Sequence, residues 1–136
     1  MSSDFPSVSQ TSDGWEVSFA QEVVTETTFD FAVSIVTDNL NLRIEEPFKL
    51  VSPATEDVSL EPGKSSGMES IIALHGSPLT GLTISESGRL TASFDERRIE
   101  VNPGDHFEAY VVNIKPGWMF VGTPGGGTTV WRPSRE

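Results

Sequence analysis

From Trp15 onward, apolar and polar residues alternate with a period of two along most of the chain. That spacing belongs to strands with one buried face. WEVSFA sets Trp15, Val17 and Phe19 on one side. TTFDFAVSIVTD sets Phe29, Phe31, Val33 and Ile35 together, with Asp30, Ala32 and Ser34 opposite. Asp38-Asn39 supplies turn chemistry, and beyond it Leu40, Leu42 and Ile44 alternate with Asn41, Arg43 and Glu45. Residues 29–37 and 40–46 therefore predict a β-hairpin with a very short turn. Pro47 ends ladder pairing there or marks an edge strand.

The pattern lapses over VSPATEDVSLEPGKSSG, where two prolines and two glycines predict a loop. SGMESIIALHG predicts one short helix. Ser65 or Ser66 is its expected N-cap, with Glu69 three residues after Ser66. Met68, Ile71, Ile72 and Leu74 or His75 fall at helical spacing, and Gly76 is the stop. Alternation then resumes. Leu79, Leu82 and Ile84 lead to Glu86-Ser87-Gly88, and Leu90, Ala92 and Phe94 follow, as in a hairpin. RRIEV, FEAYVVNI, WMFVG and TTVW complete the strands. The expected fold is α+β and mostly β: a bent antiparallel sheet or partial barrel of about eight strands, with the helix packed on its apolar face. Residues 14–136 form a single domain in this reading, and Ser-rich residues 1–13 form a disordered tail.

Charge changes the picture more than length does. The chain has 136 residues, 20 acids and 9 Lys or Arg, for a formal charge of −11. Residues 1–68 hold twelve of the acids and only three of the bases. Such a field repels nucleic acid and anionic membranes and steers a basic partner inward. With no cysteine, disulfides, thiolate metal sites and a cysteine nucleophile are excluded. The N-terminus lacks the basic start and apolar run of a signal peptide, and no apolar stretch approaches membrane-span length. A soluble, cytoplasmic protein is expected.

Candidate chemistry is sparse. VGTPGGGTTVW resembles a phosphate loop only in its glycines. The residues that follow are β-branched and aromatic, no helix has room to form, and no lysine follows Lys115. A phosphate loop needs both, so Gly125-Gly126-Gly127 predicts a hairpin turn. His75 and His106 lack metal-ligand spacing. Asp105, His106 and Glu108 would meet at a cation only if their turn folded inward. No metal and no cofactor are expected. Glu45 and Glu46, adjacent on a strand, point to opposite faces and cannot work as a catalytic pair. No Gly-x-Ser-x-Gly elbow is present. Trp118, between Lys115-Pro116-Gly117 and Met119-Phe120, is either an exposed anchor for a partner or a cap on one end of the core.

LRIEEPFKL (42–50), LHGSPLT (74–80), GRLTASF (88–94), FEAYVV, PGW and VGTPGGGTTVW together resemble a small family found widely in actinobacteria and known only as a domain of unknown function. The likeness covers most of the chain after residue 29. The chain departs from the family pattern at Glu46, where glycine is favoured, and at Phe107 and Tyr110, where Tyr and Trp stand. The resemblance implies no reaction. Some small bacterial domains of this kind look like immunity proteins, which bind and block a toxin.

These observations favour a non-catalytic acidic binding protein, immunity- or antitoxin-like, that meets a basic protein through Glu45, Glu46, Glu56, Asp57 and Glu61 with Trp118 as anchor. One alternative is a small-ligand binder or minor enzyme with a pocket between sheet and helix, using Arg43, His75 or His106. Another is a homodimer formed through an exposed sheet edge, with no other partner.

Overall fold

A computed structural model describes residues 5–53 and 55–134. Thirteen strands and one helix run through them. The strands are β1 (Ser7–Gln10), β2 (Gly14–Ser18), β3 (Glu26–Phe29), β4 (Val33–Val36), β5 (Leu40–Ile44), β6 (Phe48–Val51) and β7 (Val58–Leu60), then β8 (Gly81–Ser85), β9 (Leu90–Phe94), β10 (Arg97–Val101), β11 (Tyr110–Ile114), β12 (Trp118–Gly122) and β13 (Thr128–Trp131). The helix, α1, spans Met68–Ile72. All strand pairs are antiparallel. They form a seven-stranded sheet in the order β1-β2-β8-β9-β10-β6-β7 and a six-stranded sheet in the order β13-β12-β11-β5-β4-β3.

The two sheets make a sandwich, which corrects the expected single sheet of about eight strands. The chain crosses between sheets at Glu45-Glu46-Pro47. β5 lies in one sheet and β6 in the other. Proline, lacking an N–H, is suited to that break. Alternation holds strongly in β5, where Leu40, Leu42 and Ile44 are buried and Asn41 and Arg43 exposed. Register aligns Ile35, Leu42, Val112 and Phe120 across the six-stranded sheet. Val17, Leu82, Ala92, Ile99 and Leu50 align across the other. Both rows belong to one apolar cluster. Trp15 meets Phe120 edge-on between the sheets, with centroids 5.7 Å apart.

The helix does not cover a sheet face, because five residues are too few. It bridges the two sheets at one open side of the sandwich. Gly67 lies against Val58 and Leu60 of β7, and Gly76 N–H donates to Val24 O just before β3. Met68, Ile71 and Leu74 turn inward. The expected serine cap is absent. Gly67 itself is the N-cap, with φ 80° and no side-chain hydrogen bond. Left-handed backbone there favours a residue without Cβ. Gly67→Ala is expected to lower stability by about 1–2 kcal/mol, measured as a shift in the urea midpoint.

Two further differences share one cause, short strands held by backbone pairing that leave little apolar signature, and a third comes from a single turn. Ser7–Gln10, within the expected tail, pairs with β2 as β1. Val58–Leu60, within the expected loop, pairs with β6 as β7. Residues 29–37 are not one strand, because the chain reverses at Asp30-Phe31-Ala32, pairing Phe29 with Val33. Asp30 Oδ1 accepts the Ala32 N–H at 2.9 Å and so closes that turn. Residues 1–4 of the expected tail lie outside the described residues. Among the described residues no helix is long and apolar enough to cross a membrane.

Candidate functional site

Register gathers several connections at one end of the sandwich. Phe29 pairs with Val33, Val33 with Ile44, and Ile44 with Tyr110. The β3–β4 turn, the β5–β6 crossing and the β10–β11 loop are therefore neighbours. Glu45 N–H donates to Ala109 O at 2.9 Å and ties the last two together. Leu60 pairs with Phe48, which brings Glu61 to the same end.

The glycine triplet is a brace at this end. As expected, it turns β12 into β13, with Thr123 N–H bonded to Gly127 O at 3.1 Å. Its free backbone then reaches outward. Gly125 N–H donates to Gly104 O, and Gly127 N–H donates to Ser87 O, each at 2.7 Å. The turn thus anchors both the β10–β11 loop and the β8–β9 turn. Gly104 is itself required by crowding: a Cβ there would lie 2.9 Å from Phe107 O and 3.0 Å from Glu46 Cγ.

Two loops at this end hold an aromatic ring in solvent. Phe31 crowns the β3–β4 turn at 91% exposure, and Phe107 stands on the β10–β11 loop at 68%. Burying such a ring is ordinarily worth about 1.5–3 kcal/mol, so the fold forgoes that twice at one end. Asp30 flanks Phe31. Asp105 and Glu108 flank Phe107, with Glu45 and Glu46 on the crossing between. Arg43 pairs with Glu45 at 3.2 Å and Lys64 with Glu61 at 3.3 Å, both exposed.

A family model matches residues 15–132, from the tryptophan of β2 to the arginine after β13. The chain belongs to DUF6188, a family of unknown function. No curated protein and no solved structure matches it. The matched span of the DUF6188 chain takes in both aromatic loops and, apart from the first residue of β2, every strand after β1.

The candidate residues read from sequence separate in space. Glu45, Glu46 and Glu61 meet at the loop end just described. Glu56 and Asp57 precede β7 and so lie at its other end. Trp118 is also remote from the first group: it pairs with Ile114, which pairs with Leu40, at the opposite end of β5 from Glu45. It is half-buried, stacked on Phe120 at 5.9 Å, with the Arg132 guanidinium 5.4 Å from its ring centroid. Those contacts place it as a cap on the core. Phe29, at the end of β3, is exposed to a lesser degree. The most exposed rings at the loop end are Phe31 and Phe107, whose alternation with polar neighbours reads as strand. Their signal was present in the flanking acids, DFA and DHFE.

Arg43, His75 and His106 are also dispersed. Arg43 stands on the outer face of β5. His75 Nε2 bonds the Thr25 carbonyl at 3.1 Å, beside β3. His106 is exposed on the β10–β11 loop. A hollow of about 300 Å³ does lie between the β3–β4 hairpin and the approach to α1, lined by Phe29, Asp30, Val33, Lys64 and Met68. None of those three residues lines it. Among the described residues no three acids or histidines are grouped so as to hold a metal ion.

One buried polar cluster leaves no mark on the local sequence pattern. Glu22 is 5% exposed. Its carboxylate accepts the Thr37 hydroxyl at 2.6 Å, the Asn39 N–H at 3.2 Å and the Asn39 side-chain amide at 2.5 Å. It pins the β4–β5 turn from within.

Proposed function

We propose that this DUF6188 chain is a non-catalytic binding domain of immunity or antitoxin type, which captures a basic protein through the loop end of its sandwich. The observation that carries the reading is the pair of exposed phenylalanines on neighbouring loops, Phe31 beside one carboxylate and Phe107 between two. An apolar anchor within a charged rim is how protein interfaces concentrate affinity. The net charge of −11 favours a cationic partner and raises its encounter rate at low salt.

The test is affinity capture from a lysate of the source organism at low and high salt, followed by mass spectrometry and titration of the retained protein. Phe31→Ser with Phe107→Ser should weaken binding about 100-fold, as expected when two anchors of about 1–2 kcal/mol each are removed. Glu45→Lys with Glu108→Lys should weaken it mainly at low salt. Glu56→Lys with Asp57→Lys, at the other end of β7, should change affinity by less than about threefold. Equal loss from that last pair, or none from the first, would sink the reading.

A further inference from the structure

The six-stranded sheet ends in β13, and the sequence TTVW sets this edge apart from the other three sheet edges among the described residues. The β7 edge is three residues long, with Glu56 and Asp57 before it and Glu61 after it. The β3 edge carries Glu26 and is followed by Asp30. The β1 edge, SVSQ, is uncharged but polar. Only β13 is uncharged and wholly β-branched or aromatic, and edges of that kind are the ones that pair with another chain.

Its outward hydrogen-bonding groups can be assigned from register. Gly122 O accepts from Ala109 N–H on the β11 side, so the Gly122–Thr128 pair is a non-hydrogen-bonded one. Alternation then turns the backbone of Thr129 and Trp131 toward β12, and that of Thr128 and Val130 toward the open edge. The Thr128 hydroxyl points inward to Ser85 O at 2.8 Å. Thr129 and Trp131 stand exposed on the outer face, Trp131 at 48%.

We propose that β13 pairs antiparallel with β13 of a second copy, about a two-fold axis through Thr129, joining two six-stranded sheets edge to edge. Thr128 of each copy then exchanges backbone hydrogen bonds with Val130 of the other. The same register sets Trp131 opposite Gly127 of the second copy, which presents no side chain of its own to the indole. It sets Arg132, whose guanidinium lies over Trp118 in the single chain, opposite Gly126 of the second copy. A Cβ on Gly126 would lie 3.3 Å from Ser87 O, and Ser87 directly follows the exposed acid Glu86. Both contacts occur twice, as a self-complementary interface requires. Charge complementarity between Arg132 and Glu86 and the absence of a side chain opposite Trp131 favour a second copy over an unrelated strand.

The cysteine-free chain allows a direct test. Across the axis the two Thr129 residues form a non-hydrogen-bonded pair with Cα atoms about 4.5 Å apart, within disulfide range. Under mild oxidation Thr129→Cys should therefore give a covalent dimer, whereas Ser9→Cys on β1 and Thr28→Cys on β3 should show no covalent dimer. By light scattering the wild-type mass should be twice 14.8 kDa. Thr129→Lys and Thr129→Glu should each be folded monomers, and their mixture should regain the dimer mass. A monomeric wild type, absence of cross-linking at Thr129, or cross-linking at Ser9 in its place would overturn the proposal.

Discussion

Glu22→Ala should cost about 3 kcal/mol of folding stability, the largest loss expected from any single side chain outside the apolar core. The substitution removes the acceptor shared by the Thr37 hydroxyl, the Asn39 N–H and the Asn39 amide. Each unsatisfied buried donor costs about 1–3 kcal/mol, and water entering the vacated space returns part of that. Glu22→Gln is the sharper probe. It keeps the volume but turns one acceptor into a donor, so it should recover less than half of the loss. Urea denaturation of both variants measures the effect. A loss below about 1 kcal/mol for Glu22→Ala would show that solvent already satisfies the turn.

That turn also shows what a sequence conceals. The alternation of Leu40, Leu42 and Ile44 made β5 legible, because a strand with one wet face must repeat every two residues. The hairpin of β8 and β9 and the glycine turn before β13 were legible for a similar reason: glycine marks where the chain must reverse. The division into two sheets was harder to see. SVSQ, ETTF and VSL hold their places largely through backbone hydrogen bonds, which almost every sequence can make. Glu22 reads as a surface acid, since burial of a carboxylate depends on partners fifteen and seventeen residues away.

The candidate site was legible in composition and hidden in placement. Glu45, Glu46, Glu56, Asp57 and Glu61 are close in sequence, but β7 runs between the last three and sends Glu56 and Asp57 to the far end. Phe31 keeps the phase of Phe29 and Val33, so periodicity assigns it to the core; the Asp30 turn lifts it out. Trp118 has the composition of an anchor, yet Phe120 and Arg132 already engage its ring. In each case a contact distant in sequence, or a single turn, outweighs the local pattern.

The alkaline limb of the stability curve should be set by Tyr110. Its ring is fully buried and lies across from Gly122, where a Cβ would sit 2.6 Å from the ring carbon Cε2. Burial pushes its phenol up to about 12, opposed weakly by the Thr128 side chain. The Thr128 hydroxyl is committed to the Ser85 carbonyl, and the Tyr110 hydroxyl has no hydrogen-bond partner of good geometry. In the unfolded chain the phenol ionises near pH 10, a value typical of an exposed tyrosine at about 10. Between those values the unfolded state loses its proton while the folded state keeps it. The tyrosine's contribution is therefore fully retained below about pH 10 and is lost as pH rises toward about 12. Two units correspond to about 2–3 kcal/mol. Tyr110→Phe removes the ionising group and should flatten the fall between about pH 10 and 12, measured against wild type so that the lysines cancel. At about pH 7 the same variant should lie within about 1 kcal/mol of wild type, because the hydroxyl it deletes has no partner to strand. Parallel alkaline curves for the two proteins would mean that solvent reaches the phenol, and that the packing of Tyr110 on Gly122 is looser than the register of β11 and β12 implies.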